Sequence, residues 1–393
     1  MNNLTITIPF FFRRINDLNQ YLPIIDHLLK EKKIILLICL NQNFDLKSDY
    51  TLKKYIDTPN VKIKKLEELL LEKKKILFII YLILNKFKLL RKLNLKFQKF
   101  IITEKNFIAI FNNYNIFSAI FDYPITNQNI INIILILKKI NIKIFGIHHA
   151  IWVRDINLKN KKIRKILNAH KEKSKNYDII LVFNKEYKEI LKKIKCNSKF
   201  IFYGLLQKIN NFKKIKITKK EITTILYLDH ASEHGIKKKI VVENLKKLTQ
   251  LENVKLIIRP NTSIEYQINK DDLKIFCDNN LGDNISYDLT INLIKKSDLI
   301  INPISSVIIE AFLEKKIIIH PSHFIPNERM LWQRFGCCFD VKSYDELKSI
   351  IISYQQNNLK VKKYYEKCSK MIKFLLVNNN LKLKIKKIIS NIL

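Results

Sequence analysis

The feature that most constrains this chain is a repeated alternation of short, β-branched apolar runs with longer amphipathic stretches. Alternation of this kind predicts parallel strands connected by helices, and therefore an α/β protein whose sheet is covered by helices. The strand-like runs form two series. The first series is Leu4–Phe11, Lys33–Leu40, Phe107–Phe111, Ala119–Asp122, Ile142–Ile147, Tyr177–Val182 and Ser198–Phe202. The second series is Thr223–Leu228, Val254–Arg259, Leu299–Asn302 and Ile317–His320.

A polar, basic stretch at 207–221 separates the two series and has no hydrophobic period of its own. We interpret this stretch as a linker. The chain has 393 residues, which is enough for two domains with separate cores. The predicted organisation is a Rossmann-like domain at 1–206, the linker, a second Rossmann-like domain at 222–375 and a C-terminal helix at 376–393. Two such α/β domains imply a central cleft between them in which ligands bind.

The chain is strongly basic, with 72 Lys and Arg against 35 Asp and Glu and a formal net charge of +37. A charge of this size is typical of proteins that bind nucleic acid or anionic membranes. The lysines are, however, spread along the whole chain and accompany many Ile and Asn residues, a pattern typical of coding bias in an AT-rich genome. Because a nucleic-acid footprint is concentrated on one element, we expect no nucleic-acid partner.

The cysteines and the apolar runs indicate the compartment. The six cysteines form no C-x-x-C pair, and no His lies at ligand spacing around the adjacent Cys337 and Cys338. This pattern favours reduced thiols in a cytoplasmic protein. The N-terminal residues lack the basic and apolar regions of a signal peptide. The longest uninterrupted apolar run, Ile76–Leu84, has nine residues, whereas a membrane-spanning helix needs about twenty.

The stretch at 73–100 is a candidate for contact with a membrane surface. Its basic residues include Lys86, Lys88, Arg91, Lys92 and Lys96. Apolar residues recur at about helical spacing at Phe87, Leu90, Leu93, Phe97 and Phe100. A basic amphipathic helix of this sort can lie on an anionic bilayer as a peripheral contact. Equally, its apolar face can belong to the core of the first domain.

Several common phosphate-binding and catalytic motifs are missing. The chain has only five glycines and contains no G-x-G-x-x-G, no P-loop, no G-x-S-x-G and no H-E-x-x-H. It also lacks a D-x-D pair of the kind that carries a metal-bound nucleotide-sugar. We therefore expect phosphate groups to be bound by helix N-termini, hydroxyls and cationic side chains, without a metal or other cofactor.

The most informative segment is 297–321, in which a strand, a turn at Pro303, two serines, a helix and a second strand follow one another. Ser305 is well placed as the N-cap of a helix at Ser306–Glu314, whose first turn exposes free backbone N–H groups. Such a helix terminus binds phosphate readily. Glu310 lies one turn further on, where a carboxylate can accept hydrogen bonds from ribose hydroxyls. The same spacing also suits an ordinary capped helix with Glu310 as a solvated charge.

Two more polar positions follow strands of the second series. Arg259 ends the run at 254–259, and its planar, permanently charged guanidinium suits phosphate oxygens, although a surface charge fits equally. The loop after Thr223–Leu228 contains a polar cluster formed by Asp229, His230, Ser232, Glu233 and His234. This cluster can contact phosphate, take part in acid–base catalysis or form a solvated loop. Its spacing matches no recognised metal site.

The segment at 297–321 resembles the donor-binding motif in the C-terminal domain of GT-B glycosyltransferases that make surface and capsular polysaccharides. In that motif a serine pair opens a helix and a Glu follows before the next strand. Lys316 occupies a position where the family usually has Pro. The resemblance implies the GT-B fold, in which two Rossmann-like domains face a central cleft. It also implies that Ser305, Ser306 and Glu310 bind a nucleotide-sugar donor.

Two other segments of the second domain fit the same family in the same order. Val254–Pro260 resembles a strand that ends in a His-Pro or Arg-Pro pair and reaches the donor phosphates, which implies that role for Arg259. The loop with Asp229 and Ser232 corresponds to a loop that faces the cleft and often touches the donor.

In the first domain, Ile144–Ile151 resembles the strand and Q-H-G turn of CDP-glycerol transferases and capsule transferases. This alignment implies that His149 is the general base that acts on the acceptor hydroxyl, a task for which His has a suitable pKa range. His148 stands in place of the family's Gln, and Ala150 stands in place of its Gly.

The resemblance implies a metal-independent glycosyltransferase that moves a sugar from a nucleotide-activated donor to a glycan or lipid-linked acceptor. A CDP-glycerol-type polyol-phosphate transferase shares the fold and the His turn. A UDP-N-acetylglucosamine 2-epimerase-like enzyme shares the fold and the serine–Glu segment, and it needs no acceptor. Outside enzymology, the alternative is a basic protein that binds nucleic acid or an anionic membrane and has a degenerate cleft. Nucleotide affinity distinguishes the enzymes from this last alternative.

Overall fold

In a computed structural model, the chain divides into two units, each built on a parallel sheet. Residues 6–13, 15–41, 44–46, 50–72, 75–86, 101–111, 114–125, 127–148, 161–182, 185–203, 221–230, 235–260, 270–305, 307–325, 329–375 and 381–393 are described by the structure. The first unit comprises Met1–Ala150, Leu158–Gln207 and Val377–Leu393, and the second comprises Ile151–Asn157 and Lys208–Leu376.

The first unit is built on a seven-stranded parallel sheet with the strand order β3-β2-β1-β4-β5-β6-β7. Its strands are β1 Thr7–Phe12, β2 Ile34–Cys39, β3 Val61–Lys65, β4 Ser118–Tyr123, β5 Lys143–His148, β6 Ile179–Val182 and β7 Lys199–Phe202. Every residue of β1 and of β4 is buried. Burial on both faces is expected for the central strands of a parallel sheet, because connecting helices cover both sides.

Helices connect the strands of the first unit. They are α1 Ile15–Lys30, α2 Tyr50–Ile56, α3 Leu66–Leu71, α4 Lys75–Lys86, α5 Glu104–Phe111, α6 Gln128–Lys139, α7 Lys161–Ser174 and α8 Lys185–Lys193. α6 shows how the sequence forms them. Asn127 caps its N-terminus by accepting the backbone N–H of Asn129 at 2.9 Å. Its buried residues, Ile130, Ile133, Ile134 and Leu137, have the spacing of one helix face.

The second unit is built on a five-stranded parallel sheet with the order β12-β11-β10-β8-β9. Its strands are β8 Thr223–Leu228, β9 Val254–Arg259, β10 Leu299–Ile301, β11 Ile317–Pro321 and β12 Phe339–Val341. Its helices are α9 Lys238–Thr249, α10 Lys270–Cys277, α11 Thr290–Lys296, α12 Ile308–Leu313, α13 Leu331–Phe335, α14 Tyr344–Gln355 and α15 Lys362–Leu375.

The last helix, α16 Leu381–Ile392, belongs to the first unit and contacts α1. Lys143, at the start of β5, donates a hydrogen bond from Nζ to the carbonyl oxygen of Asn391 at 2.9 Å. Four residues of α16, Ile385, Ile388, Ile389 and Ile392, are buried and repeat at helical spacing. The chain therefore returns to its first unit after completing the second.

One predicted strand is wrong. The run Phe107–Phe111 is the second half of helix α5 and not a strand. The two phenylalanines are both buried, and their rings pack edge to face with centroids 5.5 Å apart, as residues four positions apart on one helix face do. A five-residue apolar run is too short for periodicity to separate a strand from a buried helix.

A second difference concerns β3, which the apolar pattern did not predict. In β3, Val61 and Ile63 alternate with Lys62 and Lys64, and the strand lies at the edge of the sheet. Lysines on an edge strand are a common device against unwanted pairing with other chains. In a chain this rich in Lys, the alternation is hard to distinguish from background composition.

Each sheet has one point at which the chain reverses its direction of travel along the sheet. In the first sheet this switch point lies between β1 and β4, and in the second it lies between β8 and β10. In open α/β sheets, ligands bind in the crevice outside the carboxyl ends of the strands at such a point. The residues that directly follow these four strands are therefore the first place to look for function.

Candidate functional site

At the second sheet's switch point, Asn302 organises the turn that follows β10. Its Nδ2 donates to the carbonyl oxygen of Ser305 at 3.0 Å, and its Oδ1 accepts the backbone N–H of Ser305 at 2.7 Å. Asn302 is fully buried. One side chain therefore fixes both backbone polar groups of Ser305. Sequence reasoning treated Asn302 only as a strand end, although an Asn-Pro pair is a recognised turn signal.

The helix after this turn was predicted at Ser306–Glu314 and begins at Ile308. Ser305 is consequently not the residue directly before the helix, although its Oγ accepts the backbone N–H of Val307 at 3.3 Å. The physical reason is that Asn302 and Pro303 hold the chain in a turn as far as Ser305, so helical hydrogen bonding starts only beyond it. Ser306 itself lies outside the described residues.

Glu310 lies in the first turn of α12. Its Oε2 is buried and has no hydrogen-bond partner among the residues that the structure describes. Burial raises the pKa of the Glu310 carboxyl from 4.5 to about 7, although its own backbone N–H opposes the shift. These properties differ from those of a solvated surface charge. An unsatisfied buried acceptor costs roughly 1–3 kcal/mol, which a ligand hydroxyl at this oxygen would offset.

Asp229, directly after β8, is held by a buried lysine. Lys238 Nζ lies 2.6 and 2.8 Å from the two carboxylate oxygens of Asp229, and the Tyr227 hydroxyl donates to Oδ1 at 3.2 Å. Asp229 and Lys238 are both buried. Lys238 is the first residue of α9, and sequence reasoning missed it because nothing in the spacing links it to Asp229.

Arg259 ends β9, the strand next to β8. Its Nε donates to Thr290 Oγ1 at 3.4 Å, and its Nη1 donates to the carbonyl oxygen of Pro260 at 3.3 Å. Partial burial lowers the pKa of the guanidinium, while Asp288 and Tyr287 oppose that effect. An arginine remains charged in proteins, so Arg259 supplies a fixed positive charge at the carboxyl end of the sheet.

His320, in β11, lies beside the turn of Asn302. Its Nδ1 is 3.2 Å from the carbonyl oxygen of Asn302, and the Trp332 indole N–H points at the same nitrogen from 3.2 Å. His320 Nε2 is buried without a hydrogen-bond partner within the described part of the chain. Burial lowers the pKa of His320 to about 4, so the imidazole is neutral at pH 7. Neither His320 nor Trp332 was a sequence candidate.

An ion pair joins the ends of the two strands at the first sheet's switch point. The Arg13 guanidinium, directly after β1, donates to the Asp122 carboxylate in β4. The pair is buried on the Asp122 side, and the Tyr177 hydroxyl donates to the Asp122 carbonyl oxygen at 2.8 Å. Arg13 therefore has a charged partner within the protein.

Next to this ion pair, the end of β5 is packed in an aromatic cluster. His148 is buried, and its ring contacts the rings of Tyr123, His170 and Tyr187 at centroid distances of 5.9, 6.3 and 5.1 Å. The predicted general base, His149, is the next residue and lies outside the described residues. Its catalytic role therefore stays a prediction.

Four of the predicted site residues lie on the carboxyl side of the second sheet. Arg259 ends β9, Asp229 directly follows β8, Ser305 lies in the turn after β10, and Glu310 lies in the first turn of the next helix. Ser232, Ser306 and His149 fall outside the described ranges. Among the residues that the structure describes, no group of three His, Cys, Asp or Glu side chains has an arrangement that could hold a metal ion.

Comparison with solved structures identifies the fold. A Listeria monocytogenes protein assigned as a UDP-N-acetylglucosamine 2-epimerase matches 98% of this chain and 95% of its own, with a TM-score of 0.59 and 14% identity. A glycosyltransferase from Rickettsia africae matches 99% of this chain and 98% of its own, with a TM-score of 0.54 and 15% identity. The fold is GT-B.

A third similar structure is the Neisseria meningitidis UDP-GlcNAc 2-epimerase bound to UDP-GlcNAc. It matches 98% of this chain and 100% of its own, with a TM-score of 0.54 and 12% identity. No protein-family profile matches the sequence, and neither does any curated protein sequence. The chain is therefore similar to GT-B proteins in its fold, with two Rossmann-like units. Because a shared fold does not determine function, the function of the site depends on its own residues.

Proposed function

We propose that this GT-B protein is a glycosyltransferase that binds a nucleotide-activated sugar at the switch point of its second sheet. The observation that carries the proposal is Glu310, a carboxylate with a buried, unsatisfied oxygen in the first turn after the Asn302–Ser305 turn. Two neighbouring ribose hydroxyls supply the donors that such a carboxylate lacks. The fold likeness to nucleotide-sugar enzymes and the sequence resemblance of segment 297–321 support the same choice.

In the proposed mechanism, charge develops on the nucleotide phosphate as the sugar leaves. Arg259, with Ser305 and Ser306, neutralises that phosphate, because a fixed guanidinium and hydroxyl donors stabilise developing negative charge. Glu310 binds the ribose, and Asp229 and Ser232 border the donor. His149 accepts the proton of the acceptor hydroxyl. Leaving-group stabilisation and positioning supply most of the catalysis, and no metal is required.

The finer assignment is transfer to a glycan or lipid-linked acceptor in surface polysaccharide synthesis. Transfer of a polyol phosphate from a CDP-linked donor uses the same fold and the same His turn, so the donor base is the first property to measure. An epimerase that acts on UDP-N-acetylglucosamine also fits a site with this serine–Glu arrangement. It differs by converting the nucleotide-sugar without any acceptor, which chromatography of the product detects.

The test is a thermal-shift titration with CMP, CDP, UDP and GDP. One nucleotide is expected to stabilise the protein selectively. Arg259→Ala and Ser305→Ala are expected to weaken that stabilisation, since each removes a proposed phosphate contact. The matched control is Lys255→Ala, an exposed cation on the same strand as Arg259. Absence of stabilisation by every nucleotide at millimolar concentration, with folded protein, contradicts the proposal and favours a basic binding protein.

A further inference from the structure

Helix α4 of the first unit presents four isoleucines to solvent. Their exposed fractions are 76% for Ile76, 56% for Ile79, 39% for Ile80 and 50% for Ile83. Because an α-helix turns about 100° per residue, these four positions fall within an arc of about 100° on one side of the helix. We refer to these four residues as the isoleucine face.

The other side of α4 is anchored in the protein. Tyr81 is buried and forms an apolar cluster with Leu71 and Ile101, against which Leu77 also packs. Among the described residues, the isoleucine face is not part of the apolar cluster that anchors α4. Isolated exposed aliphatic residues are common on protein surfaces, but a contiguous exposed stripe of them marks an interaction surface.

The sequence around α4 is strongly basic. Segment 73–103 contains no Asp or Glu. Its basic residues are Lys73, Lys74, Lys75, Lys86, Lys88, Arg91, Lys92, Lys96 and Lys99. The whole chain has one acidic residue for about every two basic ones, 35 against 72. Segment 190–220 lacks acidic residues as well, so the charge of 73–103 is significant only together with the isoleucine face that lies within it.

We propose that α4 lies in the surface of an anionic lipid bilayer, with the isoleucine face inserted at the boundary between headgroups and acyl chains. A bilayer of this kind offers apolar volume and negative charge together, which match the isoleucine face and the basic sequence on either side of it. A second copy of the chain is the weaker occupant, because it would bring two strongly basic segments against each other.

The length of α4 fits a helix that lies on the membrane. Its 12 residues extend about 18 Å, well short of the roughly 30 Å hydrocarbon core. In the described part of the chain, no helix is both long enough and apolar enough to cross a membrane. This inference concerns the first unit and does not depend on the nucleotide chemistry proposed for the second.

The experiment is flotation of the full-length protein with lipid vesicles at about 0.1 M NaCl. One set contains about one third phosphatidylglycerol in phosphatidylcholine, and the other is phosphatidylcholine alone. The wild-type protein is expected to float with the anionic vesicles and far less with the neutral ones. Raising the salt to about 0.5 M is expected to weaken this binding, because it screens the lipid charge.

The variant that tests the isoleucine face is the double substitution Ile76→Gln with Ile79→Gln. It removes the two most exposed apolar side chains and keeps a good helix former at both positions. The partition coefficient onto anionic vesicles is expected to fall at least about tenfold. The control is Ile56→Gln with Leu135→Gln, which changes two exposed apolar residues on α2 and α6 that are 47% and 44% exposed.

Three results overturn the proposal. The first is wild-type protein that does not float with anionic vesicles. The second is equal flotation of the isoleucine-face variant and the control. The third is a dimer in sedimentation velocity that the isoleucine-face variant abolishes without any vesicle binding, which would assign the face to a second copy. Nucleotide binding by the isoleucine-face variant should equal that of the wild type, so failure here is distinct from failure of the donor site.

Discussion

The side chains at the switch points of the two sheets make different contacts. At the first switch point, Arg13 and Asp122 form an ion pair between β1 and β4, and Tyr177 adds a hydrogen bond to the Asp122 backbone. At the second, the turn after β10 is fixed by Asn302, and the next acidic group, Glu310, keeps a buried oxygen with no partner among the described residues.

This difference supports the donor site that we propose for the second unit. Both crevices come from the same parallel topology, so the fold alone does not choose between them. At the first, the Arg13 guanidinium and the Asp122 carboxylate pair with each other. The second carries a carboxylate whose burial is unfavourable until a donor arrives. We therefore propose that the second unit binds the ligand, and we expect the Arg13–Asp122 pair to stabilise the first unit.

The largest loss of stability is expected when the Arg13–Asp122 ion pair at the first switch point is broken. Asp122→Asn leaves the Arg13 guanidinium without its charged partner in a buried setting, which should cost about 3–5 kcal/mol of unfolding free energy. Urea denaturation followed by circular dichroism measures this loss. Lys139→Gln is the control, because it breaks an exposed ion pair with Glu104 in the same unit. A loss for Asp122→Asn no greater than that of the control would show that the pair does not stabilise this edge.

The second unit has its own buried ion pair, Asp229 with Lys238, and this pair allows a stricter test. Asp229→Asn or Lys238→Met alone should each cost about 3 kcal/mol, because each leaves one buried group uncompensated. The double variant should lose less than the sum of the two single losses, with a coupling energy of about 1–3 kcal/mol. Additive losses in urea denaturation would mean that the two groups do not act as a pair, and Asp229 would then be free to contact a donor.

Glu310 and His320 should give the second unit opposite pH dependences. The pKa of Glu310 is raised to about 7 in the folded state, so its contribution to stability falls as pH rises from about 4.5 to 7. The pKa of His320 is lowered to about 4, so its contribution rises with pH between about 4 and 6.5. Each contribution amounts to about 1–3 kcal/mol, since one pKa unit corresponds to about 1.4 kcal/mol.

Two variants separate these contributions. Relative to wild type, Glu310→Gln should become progressively more stable as pH rises from about 4.5 to 7, and His320→Asn should become progressively less stable between about 4 and 6.5. Melting temperatures measured across this pH range without nucleotide provide the comparison. If the difference in melting temperature between Glu310→Gln and wild type did not change with pH, the wild-type Glu310 carboxylate would be in solvent. The contrast between the two switch points would then be lost.

The smallest effect is expected at Ser305. Ser305→Ala removes the acceptor for the Val307 N–H and should cost about 0.5–1.5 kcal/mol of stability. The Asn302 hydrogen bonds go to backbone atoms of residue 305, so the turn itself should persist. Chemical denaturation gives the stability loss. A loss of several kcal/mol would show instead that the hydroxyl is structural and not available to a phosphate.

Much of the fold is predictable from the sequence because buried parallel strands are continuous apolar runs. β8 and β9 have the predicted bounds. The errors have physical causes. Phe107–Phe111 is too short for a helical period to show, and α12 starts late because Asn302 and Pro303 extend the turn before it.

The site was less accessible to sequence reasoning than the fold. Glu310 and Arg259 stand out by type and position, but their burial and the unsatisfied Glu310 oxygen depend on packing by distant residues. Lys238 and His320 could not be linked to Asp229 and Asn302, because each pair joins different elements of the second unit. Spacing along a chain predicts neighbours on one element, whereas these contacts arise from the order of strands in the sheet.

The most direct test of the central claim compares ribose and 2′,3′-dideoxyribose forms of the nucleotide that stabilises the protein, titrated by calorimetry. Wild type and the control Glu314→Gln, an exposed carboxylate just beyond the end of α12, should bind the ribose form about tenfold or more tightly than the dideoxy form. Glu310→Gln should bind both forms with similar, weakened affinity. A preference for the ribose form that survives intact in Glu310→Gln would contradict the assignment of this carboxylate to the nucleotide.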